Sequence, residues 1–171
     1  MKTFVVALML VAMLPCLAFA QGYGNNGYKP FTVQAGWFNM GDADSGLGVG
    51  IDYSLPLGRQ TGRIGLEWGN GSLPVSSAAV SAALTSSSSI NVWNLHFDWI
   101  LQANPQFYFG IGACLNRVEL PGDTVNKFGG QAILGYNITP EWFAEARYLA
   151  ASEIVPGFKI DGLRATVGYR F

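Results

Sequence analysis

His96 is the only histidine in the chain, so any acid–base chemistry near neutral pH would depend on it. Asp98 follows two positions later, where alternation along a strand would place it on the same face and let it orient the imidazole ring. A serine hydrolase would also need a serine within hydrogen-bond reach of His96. Loop serines such as Ser87, Ser88 and Ser152 belong to other parts of the chain. We therefore predict no catalytic residue, and we expect His96 to be a hydrogen-bonded member of an interior network.

The other ligating side chains do not have the spacing of a metal or cofactor site. Asp42 and Asp44 could touch Ca²⁺ loosely, but a solvated turn accounts for both. The glycines of residues 46–50 alternate with apolar residues and no helix follows them, which excludes a phosphate-binding loop. Cys114 is expected to fill space among glycines rather than to act as a nucleophile. We predict no metal site and no cofactor.

The composition favours β structure in an apolar environment. Charged residues make up 12% of the chain, against about one quarter in typical soluble domains. The 22 glycines and 13% aromatic residues favour strands over helices. A net charge of −1 leaves no basic surface for nucleic acid, so we predict no nucleic-acid partner.

Residues 1–20 have the pattern of a cleaved secretory signal peptide. Lys2 provides the positive charge, residues 4–14 are apolar, and Ala18-Phe19-Ala20 forms a cleavage site. The apolar run is shorter than the roughly 20 residues that span a bilayer, which argues against an uncleaved anchor helix. Cys16 follows Leu-Pro rather than a small residue, which argues against a lipoprotein. We expect a short N-terminal segment, 21–30, and one domain, 31–171.

The rest of the chain repeats about ten residues of strict alternation followed by a turn, which is typical of a transmembrane β-barrel. The final segment shows the pattern best, because Leu163, Ala165, Val167, Tyr169 and Phe171 alternate with more polar residues. The even number of such segments predicts an all-β, eight-stranded, antiparallel up-and-down transmembrane β-barrel. The predicted strands are 31–40, 46–55, 62–69, 92–101, 106–116, 127–137, 141–150 and 162–171.

The distribution of charge distinguishes this barrel from a soluble β-sandwich. None of the eight apolar faces carries a charged residue, so we expect those faces to contact lipid and the opposite faces to line a narrow interior. Unpaired charges would be costly there, and the nearly balanced set predicts a salt-bridge network. The predicted lumen network is Asp52, Arg63, Glu67, His96, Asp98, Lys127, Glu145, Arg147, Arg164 and Arg170.

The predicted connections are short on one side and long on the other, as expected when long loops face the cell exterior. The outer connections are predicted at 41–45, 70–91, 117–126 and 151–161. The connection 70–91 is long, uncharged and rich in Ser and Ala. It is predicted to contact an extracellular ligand, to form a short amphipathic piece at the lipid surface, or to be a flexible loop.

The chain ends in Gly168-Tyr169-Arg170-Phe171, and residues 139–148 read Thr-Pro-Glu-Trp-Phe-Ala-Glu-Ala-Arg-Tyr. Both stretches resemble the last strands of small bacterial outer-membrane β-barrels, such as the transmembrane domain of outer-membrane protein A. The resemblance implies location in the outer membrane of a double-membraned bacterium, contact with its lipids, and recognition by the barrel-assembly machinery through Tyr169 and Phe171.

Three functional hypotheses remain from the sequence. The first is a structural or interaction protein, not an enzyme, with an interior filled by ion pairs and outer loops that contact a ligand or partner. The second is an enzyme that modifies the acyl chains of lipid A or phospholipid. However, the lipid A deacylase family has His-x-Ser, whereas this chain has His96-Phe97-Asp98. The third is a conduit for small hydrophobic compounds.

Overall fold

The computed structural model describes residues 28–57, 60–72, 89–120, 123–151 and 159–171. Within these ranges the regular structure consists of strands, each antiparallel to the next along the chain. They are β1 (Phe31–Met40), β2 (Ala43–Leu57), β3 (Gln60–Ser72), β4 (Ser89–Gln102), β5 (Phe107–Leu120), β6 (Asp123–Asn137), β7 (Trp142–Ala151) and β8 (Gly162–Arg170). β8 also pairs antiparallel with β1, which closes the sheet. The predicted eight-stranded up-and-down barrel is confirmed.

No helix in the part of the chain that the structure describes is long and apolar enough to cross a membrane.

Side chains alternate between the outside and the interior of the barrel, with the apolar ones outside. On β4, Leu95 and Phe97 are 49% and 46% exposed, whereas His96 and Asp98 are 2% and 0% exposed. A soluble β-sandwich would bury the first pair and expose the second, so this pattern excludes that alternative. The exposed apolar face suits a barrel whose outer surface contacts hydrocarbon.

The two ends of the barrel differ in what they hold. The terminal end contains Tyr28 and Phe171, and the loop end is the opposite rim, where Met40 ends β1 and Ala43 begins β2. At the terminal end the Phe31 N–H donates to the Phe171 carbonyl at 3.3 Å, and the Phe171 N–H donates to the Phe31 carbonyl at 3.0 Å. These two hydrogen bonds continue the β1–β8 pairing to the last residue.

Aromatic side chains pair near both ends on the outer face. Trp68 and Trp93 lie opposite each other towards the loop end, with ring centroids 6.5 Å apart. Trp142 and Tyr169 lie opposite each other at the terminal end, with centroids 5.1 Å apart. Such rings suit the headgroup level on each side of the membrane, where one part of the environment is hydrocarbon and the other is water.

The segment 117–126 was predicted to be an outer connection, and that prediction is wrong. β5 and β6 extend through most of it, with Val118 directly opposite Val125. Inward and outward positions still alternate here, but the inner face is now apolar and the outer face charged. Both valines face inward, whereas Arg117 and Glu119 face outward. The charged residues on the outer face show where the lipid-facing apolar band ends, and β5 and β6 continue beyond it.

The connection predicted at 70–91 is also shorter than expected at both ends. β3 continues to Ser72 and β4 begins at Ser89, and these two residues are register partners. The remaining part, 73–88, lies outside the described residues.

A glycine substitution pair on β6 tests the packing of the interior. A Cβ at Gly135 would lie 1.9 Å from Cζ of the buried Tyr108 ring, whereas at Gly130 the nearest atom would be the Gly112 carbonyl oxygen at 3.6 Å. We expect Gly135→Ala to lower the free energy of unfolding by about 1–3 kcal/mol, because overpacking forces the ring to move. Gly130→Ala is the matched control and should change it little. Urea unfolding of the barrel in lipid vesicles measures both, and equal effects would contradict this packing.

Candidate functional site: the closed barrel interior

Five strands contribute a layer of buried charged side chains to the middle of the barrel. Its members are Asp52 from β2, Arg63 and Glu67 from β3, His96 and Asp98 from β4, Glu145 and Arg147 from β7, and Arg164 from β8. Alternation brings them inside, because each lies at an inward position of its strand. We call these eight residues the ionic layer.

Interior glycines make the space that the ionic layer occupies. A Cβ on Gly65 would lie 2.0 Å from Asp52 Oδ1, and one on Gly112 would lie 2.0 Å from Asp98 Oδ1. Gly65 is also the register partner of both Asp52 and His96. Small residues opposite long ones therefore let charged side chains cross an eight-stranded lumen.

Arg63 binds two carboxylates. Its Nε donates to Asp98 Oδ2 at 3.0 Å, and its two terminal nitrogens donate to the two oxygens of Glu145 at 2.8 and 3.1 Å. The Glu145 contact is bidentate, which is the strongest geometry available to an arginine–carboxylate pair. It joins β3 to β7 across the lumen.

Arg147 and Arg164 complete the cross-lumen pairing. Arg147 donates from Nε to Glu145 and from Nη1 to Glu67, and its Nη2 lies 3.6 Å from Asp52 Oδ2. Arg164 donates to the other oxygen of Glu67. Glu67 thus accepts from two arginines on two different strands, so β3, β7 and β8 share one carboxylate.

His96 lies between two carboxylates inside the ionic layer. Its Nε2 is 3.2 Å from Asp52 Oδ1 and 3.5 Å from Asp98 Oδ2, and its Nδ1 is 3.0 Å from Asn94 Oδ1. The ionic layer thus combines four carboxylates and three arginines with this one imidazole. Arg147 Nη1, at 3.4 Å, is the remaining polar neighbour found for the ring in the described residues, so no serine there forms a hydrolase pair with His96.

Neutral side chains satisfy much of the hydrogen-bonding capacity that the ion pairs leave, and sequence analysis missed them. Gln34 Nε2 donates to Asp52 at 3.0 Å and to Glu67 at 3.1 Å. Gln131 Nε2 donates to Asp98 at 2.6 Å, and Tyr108 Oη donates to Glu145 at 2.9 Å. All three occupy inward positions of predicted strands, so alternation alone could have identified them.

Two predicted members of the network face the interior at other heights and do not contact the ionic layer. Lys127 is opposite Asn116 towards the loop end, is half-buried, and forms no ion pair with a described residue. Arg170 lies at the terminal end, where Nη1 donates to Asn137 Oδ1 at 2.9 Å. A shared face does not bring side chains together when they are many residues apart along tilted strands.

Apolar layers cover the ionic layer on both sides, which the sequence analysis did not predict. Towards the loop end the interior is filled by a cluster that includes Phe38, Val92 and Leu149. Towards the terminal end it contains Ile100, Tyr108, Ile133 and Phe143. The sequence pattern that indicates these layers is clearest on β4. Its inward residues are, in order, Ile90, Val92, Asn94, His96, Asp98 and Ile100, with apolar residues on both sides of the polar ones.

The residues that precede β1 are attached to the terminal end by two polar contacts. Tyr28 Oη donates to the Ser54 carbonyl oxygen, and burial, with a smaller effect from Tyr53, raises the pKa of Tyr28 to about 12. Lys29 Nζ donates to Glu141 Oε1 at 2.8 Å, and this hydrogen bond is the main cause that holds the pKa of Glu141 below its ordinary value. The Glu141 contact therefore stabilises the fold above the ordinary glutamate pKa and is lost as the pH falls through the lowered value.

Among the residues that the structure describes, no group of three or more His, Cys, Asp or Glu side chains could hold a metal ion.

Comparisons with known proteins identify the architecture. No family model matches the chain, and no curated protein matches it. It is similar to the outer-membrane protein Ail of Yersinia pestis in a phospholipid bilayer nanodisc, with a TM-score of 0.56 and 10% identity over 84% of this chain and 100% of Ail. The chain has the fold of a small bacterial outer-membrane β-barrel.

A second match is a crystal structure of Ail, the attachment invasion locus protein of Yersinia pestis, in complex with the heparin analogue sucrose octasulfate. It has a TM-score of 0.49 and 10% identity, again over 84% of this chain and 100% of Ail. At 10% identity the likeness concerns the fold of the outer-membrane barrel, and activity has to be argued from this chain's own residues.

Arg147 provides a test of the ionic layer of this outer-membrane barrel. We expect Arg147→Met to lower the free energy of unfolding by about 3–5 kcal/mol, because it leaves Glu67 and Glu145 buried without one of their partners. The matched control is Arg117→Met, which removes an exposed arginine 3.6 Å from Glu119 and should cost about 0–1 kcal/mol. Urea titration of both variants in vesicles gives the comparison. Similar losses would show that the ionic layer is not a principal source of stability.

Proposed function

We propose that this chain is a structural or interaction protein of the bacterial outer membrane, not an enzyme, with a closed interior and a contact surface at the loop end. In this proposal residues 1–20 are a signal peptide removed on export, 21–30 a short N-terminal segment, and 31–171 the barrel. The observation that carries the proposal is the ionic layer, held between two apolar layers inside the barrel.

The closed interior argues against transport through the lumen. An ion moving along the barrel axis would have to pass buried apolar side chains at both ends, including Phe143 and Val118, each 0% exposed. Between them it would meet arginines and carboxylates already bound to each other. Eight strands enclose a space that side chains can fill, and here they fill its middle.

The loop end is the part of the barrel best suited to contact a partner. A rigid barrel commonly acts through the connections that it holds in place. The chain between Ser72 and Ser89 is its longest connection, and residues 73–88 contain no charged side chain. An uncharged segment rich in Ser and Ala favours a partner recognised by hydrogen bonds and apolar contact rather than by charge.

The outer face supports two further partners. Exposed aliphatic and aromatic side chains, such as Leu95, Phe97 and Trp99, suit contact with outer-membrane lipids. Tyr169 and Phe171 lie on the last strand and its end, with ring centroids 6.2 Å apart. We propose that these two residues present the signal for the barrel-assembly machinery, as the resemblance of the C-terminal segment implies.

Electrical recording tests the closed interior. We expect the full chain, reconstituted in planar lipid bilayers, to show no stable conductance near that of a general porin, because no continuous water path crosses the apolar layers. A sixteen-stranded porin in the same bilayers is the positive control. Reproducible porin-sized openings in samples that are fully folded by gel mobility would refute the proposal.

Deletion of residues 73–88 tests the contact surface. Because Ser72 and Ser89 are register partners, an Asn-Gly linker between them can close β3 and β4 as a two-residue hairpin. We expect this variant to fold and reach the outer membrane, and to lose the retention of expressing cells on protein-coated surfaces that carry little charge.

The matched control for this deletion replaces residues 73–88 with a Gly-Ser segment of the same length, which keeps the spacing but not the sequence. Loss of retention in both variants, with normal surface levels, assigns contact to the residues of the connection. Undiminished retention in the deletion variant would sink the proposed surface.

A further inference from the structure

A cavity of about 250 Å³ opens at the terminal end of the barrel, and its lining includes Ile100 and Tyr108 of the apolar layer and Arg63 of the ionic layer. Its lining is basic and hydrogen-bonding: Lys29 and Arg170 provide cations, Thr61 a hydroxyl group, and Gln102 and Asn137 amides. No described residue that lines it is a carboxylate. The cavity therefore combines positive charge with hydrogen-bond donors.

Arg170 differs from every other described arginine because it has no carboxylate partner within the described residues. Arg63, Arg147 and Arg164 each bind interior carboxylates, and Arg117 lies beside Glu119. Arg170 donates from Nη1 to Asn137 Oδ1 at 2.9 Å, and the other N–H groups of its guanidinium form no hydrogen bond with a described residue. Its charge is therefore not matched by the protein that surrounds it.

Two aromatic rings hold the Arg170 guanidinium in place. Its central carbon lies 4.4 Å from the centroid of Phe143 and 5.7 Å from that of Tyr108. Cation–π contact with two rings that belong to the apolar layer fixes the guanidinium without neutralising it. A fixed, planar group with free N–H donors is pre-organised to bind two oxygens of one anion.

Lys29 brings a second cation to the same cavity. Its ammonium group donates to Glu141 Oε1 at 2.8 Å, and its side chain is 34% exposed. An ammonium has three N–H donors, so one hydrogen bond to Glu141 leaves others available. Arg63 also lines the cavity, but Asp98 and Glu145 already bind it.

We propose that this cavity is a binding site for a phosphate group, held by Arg170 and assisted by Lys29. A water molecule occupies about 30 Å³ of liquid, so the cavity has room for a phosphate and several waters. The phosphate can belong to a soluble anion that enters from the terminal end or to a phospholipid headgroup at the rim. This proposal does not rest on the contact surface proposed at the loop end.

Titration of the full-length barrel with inorganic phosphate tests the site. In dodecylmaltoside, which contains no phosphate, we expect the Arg170 Nε–H resonance to shift saturably, with half-saturation at roughly 1 mM. Chloride keeps the ionic strength constant. This titration uses the wild-type chain, so its result does not depend on whether a variant folds. A resonance that moves linearly or not at all up to tens of millimolar phosphate would overturn the proposal.

Charge variants separate the site from general attraction to a basic protein. Binding is followed by calorimetry, since Arg170→Gln removes the observed resonance. Arg170→Gln should reduce the phosphate affinity at least tenfold, and Arg170→Lys, which keeps the charge but not the planar fork, should reduce it less. Arg117→Gln makes the same charge change at the loop end and should leave the affinity unchanged. An equal loss in Arg117→Gln and Arg170→Gln would refute the assignment to this cavity.

Nanodiscs of phosphatidylcholine identify the source of the phosphate. If the Arg170 resonance already stands at its bound position and added inorganic phosphate no longer moves it, the headgroup occupies the site. If it still titrates as in dodecylmaltoside, the ligand is a soluble anion.

Discussion

The cost of enclosing charge in a narrow barrel determines most of this structure. Side chains inside eight strands have little bulk water to solvate them, so each buried charge needs a partner with good geometry. Glu67 accepts from both Arg147 and Arg164, and Arg63 binds Glu145 through two nitrogens. Since these partners come from opposite sides of the lumen, the pairs that neutralise the interior are also the contacts that fill it.

The same constraint explains where the small and the apolar residues lie. Glycines such as Gly65 and Gly112 stand beside the carboxylates that need their space. Apolar side chains above and below keep water from the ion pairs, which strengthens them. The middle of the barrel is therefore filled by side chains that are already bound to each other. Function is therefore expected at the two ends, where the packing stops.

Strict alternation along the chain was enough to predict the strand number, the antiparallel order and the inward direction of the charged residues. It did not predict the apolar layers, because alternation separates inward from outward positions but does not give the height of Val92 or Ile100 in the lumen. The predicted bounds of β5 and β6 were wrong because both strands continue past Arg117, where the outer face changes from apolar to charged. Which charges meet depends on their height in the barrel, and this separates Lys127 and Arg170 from the ionic layer. Strand tilt sets that height and cannot be obtained from one strand at a time.

The long-range pairing of Glu67 has a consequence for how the barrel assembles. Glu67 lies on β3, and its two arginines are 80 and 97 residues further along, on β7 and β8. A partly assembled sheet that contained only the first six strands would hold Asp52, Glu67 and Asp98 against the single arginine of β3. The ionic layer of such an intermediate would hold three carboxylates, one arginine and His96, so negative charge would be in excess. The arginines that neutralise these carboxylates therefore come with the last hairpin, β7 and β8. This makes closure of the barrel a cooperative step and disfavours incomplete forms in the membrane.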